Sequence, residues 1–575
     1  MNIRSISIAF AVAMAVTACD TNKKALNDEK PVNDHEIVSE YVAPTRIVLT
    51  KGDVANAEHL LEPYSGQVAV GEPSTTLFSP HSSILLDFGE ELQGGIEITR
   101  AISDNHRAAR FRLCLGESVS EALSNIDAKE TTATNDHSVR DLEISVPWLG
   151  SMQIGNSGFR FARLDLLDDD MQVPIVAVRA ISRYRDIPQT GAFKCSDERL
   201  NTIWQTGART VHLCMQDYLW DGIKRDRLVW LGDMHPEVMT VNTVFGNHEV
   251  VRKSLDYARN ITPPTEWMNG ICSYSLWWII IHHHLYEWYA GRDYLAQQHD
   301  YLASLVHTVI DNIKDGRESY SSGRFIDWPS ADLPDVIHAG LQALTHRALA
   351  AAEDIARWLG DDALRDECHS ALEQVSGHVP SHTNNGQAAA LLALEGMIDA
   401  EEAAKVITDG GPEKFTSFMG YYLLEALAAA GRYDDALQLI STYWGRMIDL
   451  GATTFWEDFN YADSRNAARI DEVVPEGKFD IHADGGAYCY VGLRHSFCHG
   501  WASGPTAWLS RHVLGIEPLD IGFRKVRINP HLGGLSWAEG ALPTPYGIIK
   551  VRHTKRADGT IESKVELPRG VKRVK

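Results

Sequence analysis

The spacing of apolar residues divides the chain into a β-rich part, a long helical part and a second β-rich part. Between residues 45 and 189, short apolar or β-branched runs at 83–89, 95–99 and 175–185 are separated by turn residues. Residues 158–166 alternate apolar and polar side chains, a period typical of half-buried strands. Many short strands of this kind predict an N-terminal β-sandwich at residues 45–189.

From residue 190 to 515 the apolar period becomes helical. An apolar stripe at 336–359 ends at Gly360, which suits a helix C-cap, and helical stretches follow at 387–407, 418–430 and 433–448. A solenoid is not favoured, because no repeat of about 34 residues recurs. Serial antiparallel helix pairs instead predict an (α/α)6 toroid, in which the loops at one end can build a pocket.

Residues 516–575 lose the helical period and predict a small C-terminal β-domain. Strands are expected at 525–528, 547–551 and 561–567, with a turn at 544–547.

The composition excludes some functions. The net charge of −23 over 575 residues leaves no basic footprint for nucleic acid and no polybasic membrane patch. No cofactor is expected, and the oligomeric state stays open. Aromatic residues are abundant, with 15 tryptophans, which fits stacking on sugars.

The N-terminus predicts export. Arg4 precedes an apolar run at 6–16 that is too short to span a bilayer, and Cys19 follows two small residues. This pattern resembles a bacterial lipobox, so residues 1–19 are interpreted as a lipoprotein signal peptide, with Cys19 lipidated and residues 20–44 as a flexible tether. The alternative is an ordinary cleaved signal. We therefore expect a lipoprotein of the periplasm or cell envelope that meets the membrane only through its lipid anchor.

The cysteines and histidines do not predict a metal centre. The other seven cysteines are scattered without a CxxC pair, which argues against a disulfide framework and a zinc site. Consecutive histidines at 282–284 point in different directions on a helix, so no metal site is predicted there.

Two acidic and aromatic clusters carry the candidate chemistry. Residues 221–233 contain three carboxylates, two arginines and a tryptophan, and residues 453–458 contain Trp456 and Glu457. Carboxylates on separate segments among aromatics are what a glycoside hydrolase needs, because one protonates the leaving oxygen and another activates water or attacks the sugar. The non-functional alternative for residues 221–233 is a surface salt-bridge cluster at the start of a helix.

These clusters resemble the motifs of bacterial α-L-rhamnosidases, glycoside hydrolase family 78. Three ordered matches carry the resemblance: residues 221–233, residues 451–457 and the histidine of Phe497-Cys498-His499-Gly500-Trp501. In the first, the positions that match are Asp221, Arg225, Asp226, Trp230, Gly232 and Asp233. The predicted order of domains also fits this family.

The resemblance implies residue roles. Asp226 would be the general acid, although it stands where the family usually has glutamate, and Asp221 is the alternative acid. Glu457 would be the general base of an inverting reaction, with carboxyl groups roughly 6.5–9.5 Å apart. The residues expected to hold or wall the sugar are Asp221, Arg225, Trp230, Asp233, Trp278, Trp328, Trp456 and His499.

The expected activity is release of terminal α-L-rhamnose from an oligosaccharide or glycoside. Two other functions stay open. One is an enzyme similar to unsaturated glucuronyl hydrolases, acting on uronic-acid oligosaccharides. The other is a non-catalytic, surface glycan-binding lipoprotein.

Overall fold

The computed structural model describes residues 37–64, 74–102, 106–126 and 140–574. The predicted lipidation residue Cys19 lies outside these residues. Within them, an N-terminal β-domain, a helical toroid and a small C-terminal β-domain follow one another, which confirms the predicted fold class.

The N-terminal domain is one antiparallel sheet closed over a core. Its strands run in the order β3-β4-β9-β5-β8-β6-β7, with β1 on β9 and β2 on β5. Register shifts within β5 interrupt its pairing with β8. Side chains from separate strands, such as Phe78 of β4 and Phe159 of β8, pack in one hydrophobic core. The elements are β1 (Ile37–Val42), β2 (Arg46–Lys51), β3 (Val54–Ala55), β4 (Thr76–Phe78), β5 (Ser83–Arg100), β6 (Ala109–Gly116), α1 (Val119–Leu123), β7 (Arg140–Val146), β8 (Gly150–Leu166) and β9 (Val173–Arg185).

Strand β1 corrects the predicted extent of the tether. It lies within the range 20–44 and pairs with β9 from Ile37↔Arg185 to Val42↔Ala180. Its β-branched residues favour an extended backbone that the free edge of β9 can bind. The ordered domain therefore begins before residue 45.

Twelve α-helices occupy residues 198–508, all of them described. They are α2 (Glu198–Cys214), α3 (Met234–Val244), α4 (Glu249–Ile261), α5 (Cys272–Tyr289), α6 (Arg292–Asp311), α7 (Pro334–Leu359), α8 (Asp362–Ser376), α9 (Gly386–Leu394), α10 (Ala400–Gly410), α11 (Gly420–Ala429), α12 (Tyr433–Asp449) and α13 (Gly504–Trp508). The predicted helix at 387–407 is in fact α9 and α10, because Gly396 adopts φ 66° and Asp399 caps α10.

The helices form two concentric rings. Helices α3, α5, α7, α9, α11 and α13 each contact the next, and α13 contacts α3, which closes the inner ring. The inner helices α9 and α11 are buried on nearly all sides, whereas the outer helices α4 and α10 bury one face only. The sequences match these positions, since a helix that is apolar all round has to be covered on every side.

The connections place the long loops at one end of the toroid. The segments that enter inner helices are long, at 215–233, 262–271, 312–333, 377–385, 411–419 and 450–503. The segments that leave inner helices are short. Because every inner helix is entered from the same end, the long segments gather there.

The sheet of the C-terminal domain includes one strand, β10 (Ala192–Cys195), from the start of the helical region. Strand β10 pairs with β15, in a sheet ordered β10-β15-β16-β17, beside a second sheet ordered β13-β14-β18. The remaining strands are β10 (Ala192–Cys195), the hairpin β11 (Ile313–Lys314) and β12 (Arg317–Glu318), β13 (Ile516–Pro518), β14 (Lys525–Ile528), β15 (Trp537–Thr544), β16 (Gly547–Lys555), β17 (Ile561–Glu566) and β18 (Lys572–Arg573). Among the described helices, none has the length and apolar character that crossing a bilayer requires.

Candidate active site

Residues 221–233 form a folded-back loop between α2 and α3. The amide of Asp221 donates to the carbonyl of Leu228 at 3.0 Å, and the amide of Leu228 donates to the Asp221 carboxylate at 2.8 Å. Asp226 and Arg227 at the tip adopt positive φ values of 53° and 55°. Asp221 therefore closes the loop that presents Asp226, whose side chain is 19% exposed.

Glu457 lies on the long loop between α12 and α13, in a segment that pairs with residues 496–499. The Glu457 amide donates to the Ser496 carbonyl at 3.0 Å, and the His499 amide donates to the Phe455 carbonyl at 2.9 Å. The Ser496 amide donates back to the Glu457 carboxylate at 3.3 Å. This pairing brings the second and third motifs together.

Arg225 joins the two candidate catalytic carboxyls. One of its guanidinium nitrogens contacts Glu457 and the other lies 3.2 Å from Asp226, while the guanidinium packs over the ring of Tyr490. The backbone turn at Asp226, where φ is positive, brings its carboxyl towards the preceding side chain.

His499 is held between two carboxylates. Its Nε2 lies 3.0 Å from Asp233, which also accepts from the Tyr274 hydroxyl at 3.1 Å, and its Nδ1 lies 3.6 Å from Glu457. Burial disfavours the charged imidazole, but Glu457 and Asp233 outweigh it and raise the pKa of His499 to about 9. At neutral pH the ring is therefore a cation.

Burial raises the pKa of two further carboxyls in this cluster. The pKa of Asp221 lies well above its usual range because the side chain is desolvated, with Asp233 adding to the effect and His499 opposing it. The pKa of Asp233 is also raised by burial, against its hydrogen bonds from His499 and Tyr274. The raised pKa of Asp221 favours its protonated form, which is the form that an acid catalyst needs.

A cavity of about 570 Å³ unites these groups. It opens among the long loops, and no described residue of the N-terminal β-domain lines it. The predicted site residues that line it are Asp221, Arg225, Asp226, Trp230, Asp233, Trp328, Glu457 and His499. Its size and its mixture of aromatic and charged walls suit a small polar ligand such as a sugar.

The predictions that two tryptophans, Trp278 and Trp456, wall the sugar are wrong. Trp278 is fully buried in the toroid, where its indole donates to the Leu255 carbonyl and packs against His282. Trp456 is also fully buried and stacks on Phe497 with ring centroids 4.2 Å apart. Trp456 therefore faces the core, whereas its neighbour Glu457 faces the cavity.

Several lining residues escaped the sequence interpretation. An aromatic wall of edge-to-face contacts runs from Trp230 through Tyr274 and Phe325 to Trp328. Trp501, within the third motif, lines the cavity too, and its indole donates to the Glu457 carbonyl at 2.9 Å. Only Trp501 stood inside a recognised motif, whereas Tyr274 lies in the first turn of α5 and Phe325 on a loop, neither with a local signal.

Two clusters among the described residues bring possible metal ligands together, and both already hold a cation. His283, His284 and Glu287 offer ligand atoms within 4.8 Å of one another, but Arg347 lies 3.1 Å from His284. The other cluster, Glu117, Glu121 and His482, encloses the amine of Lys224.

A toroid of six helical hairpins, with paired carboxylates in a cavity at one end, is the architecture of six-hairpin glycosidase domains. The sequence model described as the bacterial alpha-L-rhamnosidase 6 hairpin glycosidase domain matches residues 188–513, and that of the bacterial alpha-L-rhamnosidase C-terminal domain matches residues 515–574. The chain belongs to the bacterial alpha-L-rhamnosidase family, which confirms the resemblance of its motifs.

Individual relatives agree with the family. An alpha-L-rhamnosidase of Alteromonas sp. (strain LOR) is 33% identical over 150 residues, which cover 25% of this chain and 14% of that protein. The structure of a family 78 rhamnosidase of Bacillus sp. GL1 matches with a TM-score of 0.71 and 21% identity, over 90% of this chain and 55% of that one. The structure of a Klebsiella oxytoca rhamnosidase with rhamnose bound matches with a TM-score of 0.66 and 19% identity, over 83% of this chain and 96% of that one. At these identities the structures show a shared fold.

Proposed function

We propose that this protein is an inverting glycoside hydrolase that releases terminal α-L-rhamnose from an oligosaccharide or glycoside. One observation carries the proposal: Asp226 and Glu457, far apart in sequence, both line one cavity and both contact Arg225. The family supports the rhamnoside class of substrate. The chain spans only 14% of the Alteromonas relative and 55% of the Bacillus structure, so the activity is proposed on the site itself.

In the proposed reaction, Asp226 protonates the leaving oxygen while the bond to the anomeric carbon breaks. Glu457 accepts a proton from a water molecule, which attacks the opposite face of the sugar. Arg225 contacts Glu457, and Nδ1 of the His499 cation lies 3.6 Å from it, so two cations adjoin the proposed base. Because Asp226 also pairs with Arg225, we expect that pair to open when the glycoside binds, so that Asp226 can take up the proton.

The aromatic wall supports a deoxy sugar. Rhamnose carries a methyl group where most hexoses carry a hydroxymethyl, and the methyl group favours an apolar surface. Tyr274, Phe325 and Trp328 supply such a surface in the cavity, while Asp233 and His499 supply groups that can bind hydroxyls.

Hydrolysis of 4-nitrophenyl α-L-rhamnoside and of a rhamnosyl disaccharide tests the proposal. Asp226→Asn and Glu457→Gln should each lower kcat on the disaccharide about 10²–10⁴-fold. On the aryl glycoside Asp226→Asn should lose less, because nitrophenolate leaves without protonation. Asp458→Asn is the matched control, since Asp458 adjoins Glu457 but lines a neighbouring cavity.

Other outcomes separate the alternatives. Full activity of either catalytic variant on the disaccharide would remove that residue from its role, and full activity of Asp226→Asn would make Asp221 the candidate acid. Turnover of unsaturated uronyl oligosaccharides alone would favour the glucuronyl hydrolase alternative. Rhamnose binding without turnover of any glycoside would favour a binding protein.

We also propose that the protein is exported and anchored through lipidated Cys19, on the pattern of residues 4–19. Labelling of the expressed full-length chain with a radioactive fatty acid should be lost in Cys19→Ser. Equal labelling of the variant would contradict the anchor.

A further inference from the structure

A buried ionic network crosses from the N-terminal β-domain to the back of the catalytic loop. Glu117, just before α1, and Glu121, within α1, are at most 1% exposed, and so is Lys224, which precedes Arg225. The Lys224 amine lies 3.0 Å from Glu121 and 3.8 Å from Glu117. It also donates to the carbonyls of Leu493 and His495, at 2.5 and 2.9 Å.

Glu117 reaches the segment that holds Glu457. Its carboxylate accepts from the Phe497 amide at 2.7 Å and from the Ser496 hydroxyl at 3.3 Å. Ser496 is the residue whose amide donates to the Glu457 carboxylate and whose carbonyl accepts from the Glu457 amide. Two hydrogen-bonded steps therefore connect a side chain of the β-domain to the proposed base.

Joining two domains through buried charges has a cost in free energy. Removing carboxylates and an ammonium group from water carries a desolvation penalty that their attraction offsets only with good geometry, and apolar residues of similar volume often stabilise a protein as well or better. Burial also raises the pKa of Glu117, and the attraction of Lys224 opposes that shift. What such a network supplies beyond stability is a fixed position for Ser496 on one side and Arg225 on the other.

We propose that Glu117 is a positioning residue for Glu457, so that the N-terminal β-domain supplies part of the catalytic apparatus without entering the cavity. Glu117 acts through Ser496 and Phe497, and Lys224 fixes the same segment through its hydrogen bonds to the Leu493 and His495 carbonyls. The inference rests on the proposed function for the role of Glu457. Its structural half, the ordering of residues 493–499 and 453–459 by Glu117, stands independently of any activity.

The test uses the full-length chain with Glu117→Ala and Glu117→Gln. A displacement of Glu457 by about 1 Å should lower kcat about 100-fold in Glu117→Ala, with KM changed less than about threefold. Glu117→Gln keeps one acceptor oxygen for the Phe497 amide and should recover most of kcat. The matched control is Ser120→Ala on the same helix, whose hydroxyl binds Asp480 across the domain boundary and does not contact Glu117 or Lys224.

Hydrogen exchange measured by mass spectrometry gives a readout that needs no turnover. Glu117→Ala should speed exchange in peptides covering 453–459 and 493–499, while peptides of the C-terminal β-domain and those of Ser120→Ala stay as in the wild type. A wild type inactive on every rhamnoside would end the proposed function, and the exchange data would still decide the positioning claim. Unchanged exchange in those two segments, wild-type kcat in Glu117→Ala, or equal losses in both Glu117 variants with exchange raised throughout would overturn the inference.

Discussion

At the scale of single residues, the site depends on charges held out of water. Asp221, Asp233 and Glu237 are buried around the His499 cation and Arg225, and burial raises the pKa of all three carboxyls. Glu237 makes no hydrogen bond through either oxygen, so it is best accommodated as a neutral acid. Burial thus opposes the charged form of each of these carboxyls, whereas the His499 cation favours the charged form of Asp221 and Asp233.

We expect stability to depend on pH through His499. Its pKa is about 9 in the folded state and about 6.5 in an unfolded chain, so the folded state binds the proton more tightly. The resulting stabilisation is complete below about pH 6.5 and disappears as the pH rises through 9. Between these limits the free energy of unfolding should fall by about 3 kcal/mol relative to His499→Gln, in denaturant titrations from pH 6 to 10. Parallel pH curves for the two proteins would contradict the assigned cation.

At the scale of elements, the catalytic loop depends on a close approach of strand β8. The Gly158 amide donates to the Ile223 carbonyl at 2.8 Å. A Cβ at Gly158 would lie 2.6 Å from the Ile223 side chain and 3.0 Å from the backbone nitrogen of Lys224. Only glycine lets the strand pack this closely behind the residues that lead into Arg225 and Asp226.

Gly158→Ala should therefore act on catalysis from outside the cavity. The added methyl group has to push the loop forward, and we expect kcat to fall at least about tenfold, as a misplaced catalytic group would cause. Gly534→Ala is the control, because a Cβ there meets nothing within 4 Å. Steady-state kinetics check the prediction, and equal rates in both variants would show that the loop tolerates displacement.

At the scale of the whole molecule, buried polar contacts tie the β-domain to the toroid. Arg160 binds Asp87 through two nitrogens, at 2.8 and 3.0 Å, and donates to the Gly451 carbonyl at 3.0 Å. Gly451 opens the second catalytic motif, so this contact and the Glu117 network brace both segments that carry the proposed catalytic residues.

We expect the two domains to unfold in one cooperative transition. Arg160→Ala leaves Asp87 short of its main buried partner, which typically costs about 3–5 kcal/mol, and should separate the unfolding of the β-domain from that of the toroid. Calorimetry combined with hydrogen exchange of peptides from each domain measures this. Two well-separated transitions already present in the wild type would contradict the coupling.

The sequence predicted what depends on local periodicity and on ordered motifs. The change from period two to helical period gave the three parts, and the motifs gave the residues that meet in the cavity, including Asp226, Glu457 and His499. Side-chain direction was harder: Trp456 and Trp278 turned inward, because their orientation depends on tertiary packing. Contacts between distant segments, such as Glu117 with Phe497, leave no local pattern at all.

The stereochemistry of the first product tests the central claim most directly. If Glu457 activates a water molecule opposite to the leaving group, NMR spectra recorded during hydrolysis of 4-nitrophenyl α-L-rhamnoside should show β-L-rhamnose before it equilibrates with the α anomer. Initial formation of α-L-rhamnose would mean that an enzyme carboxylate attacks the sugar itself. That result, or no release of rhamnose at all, would contradict the account.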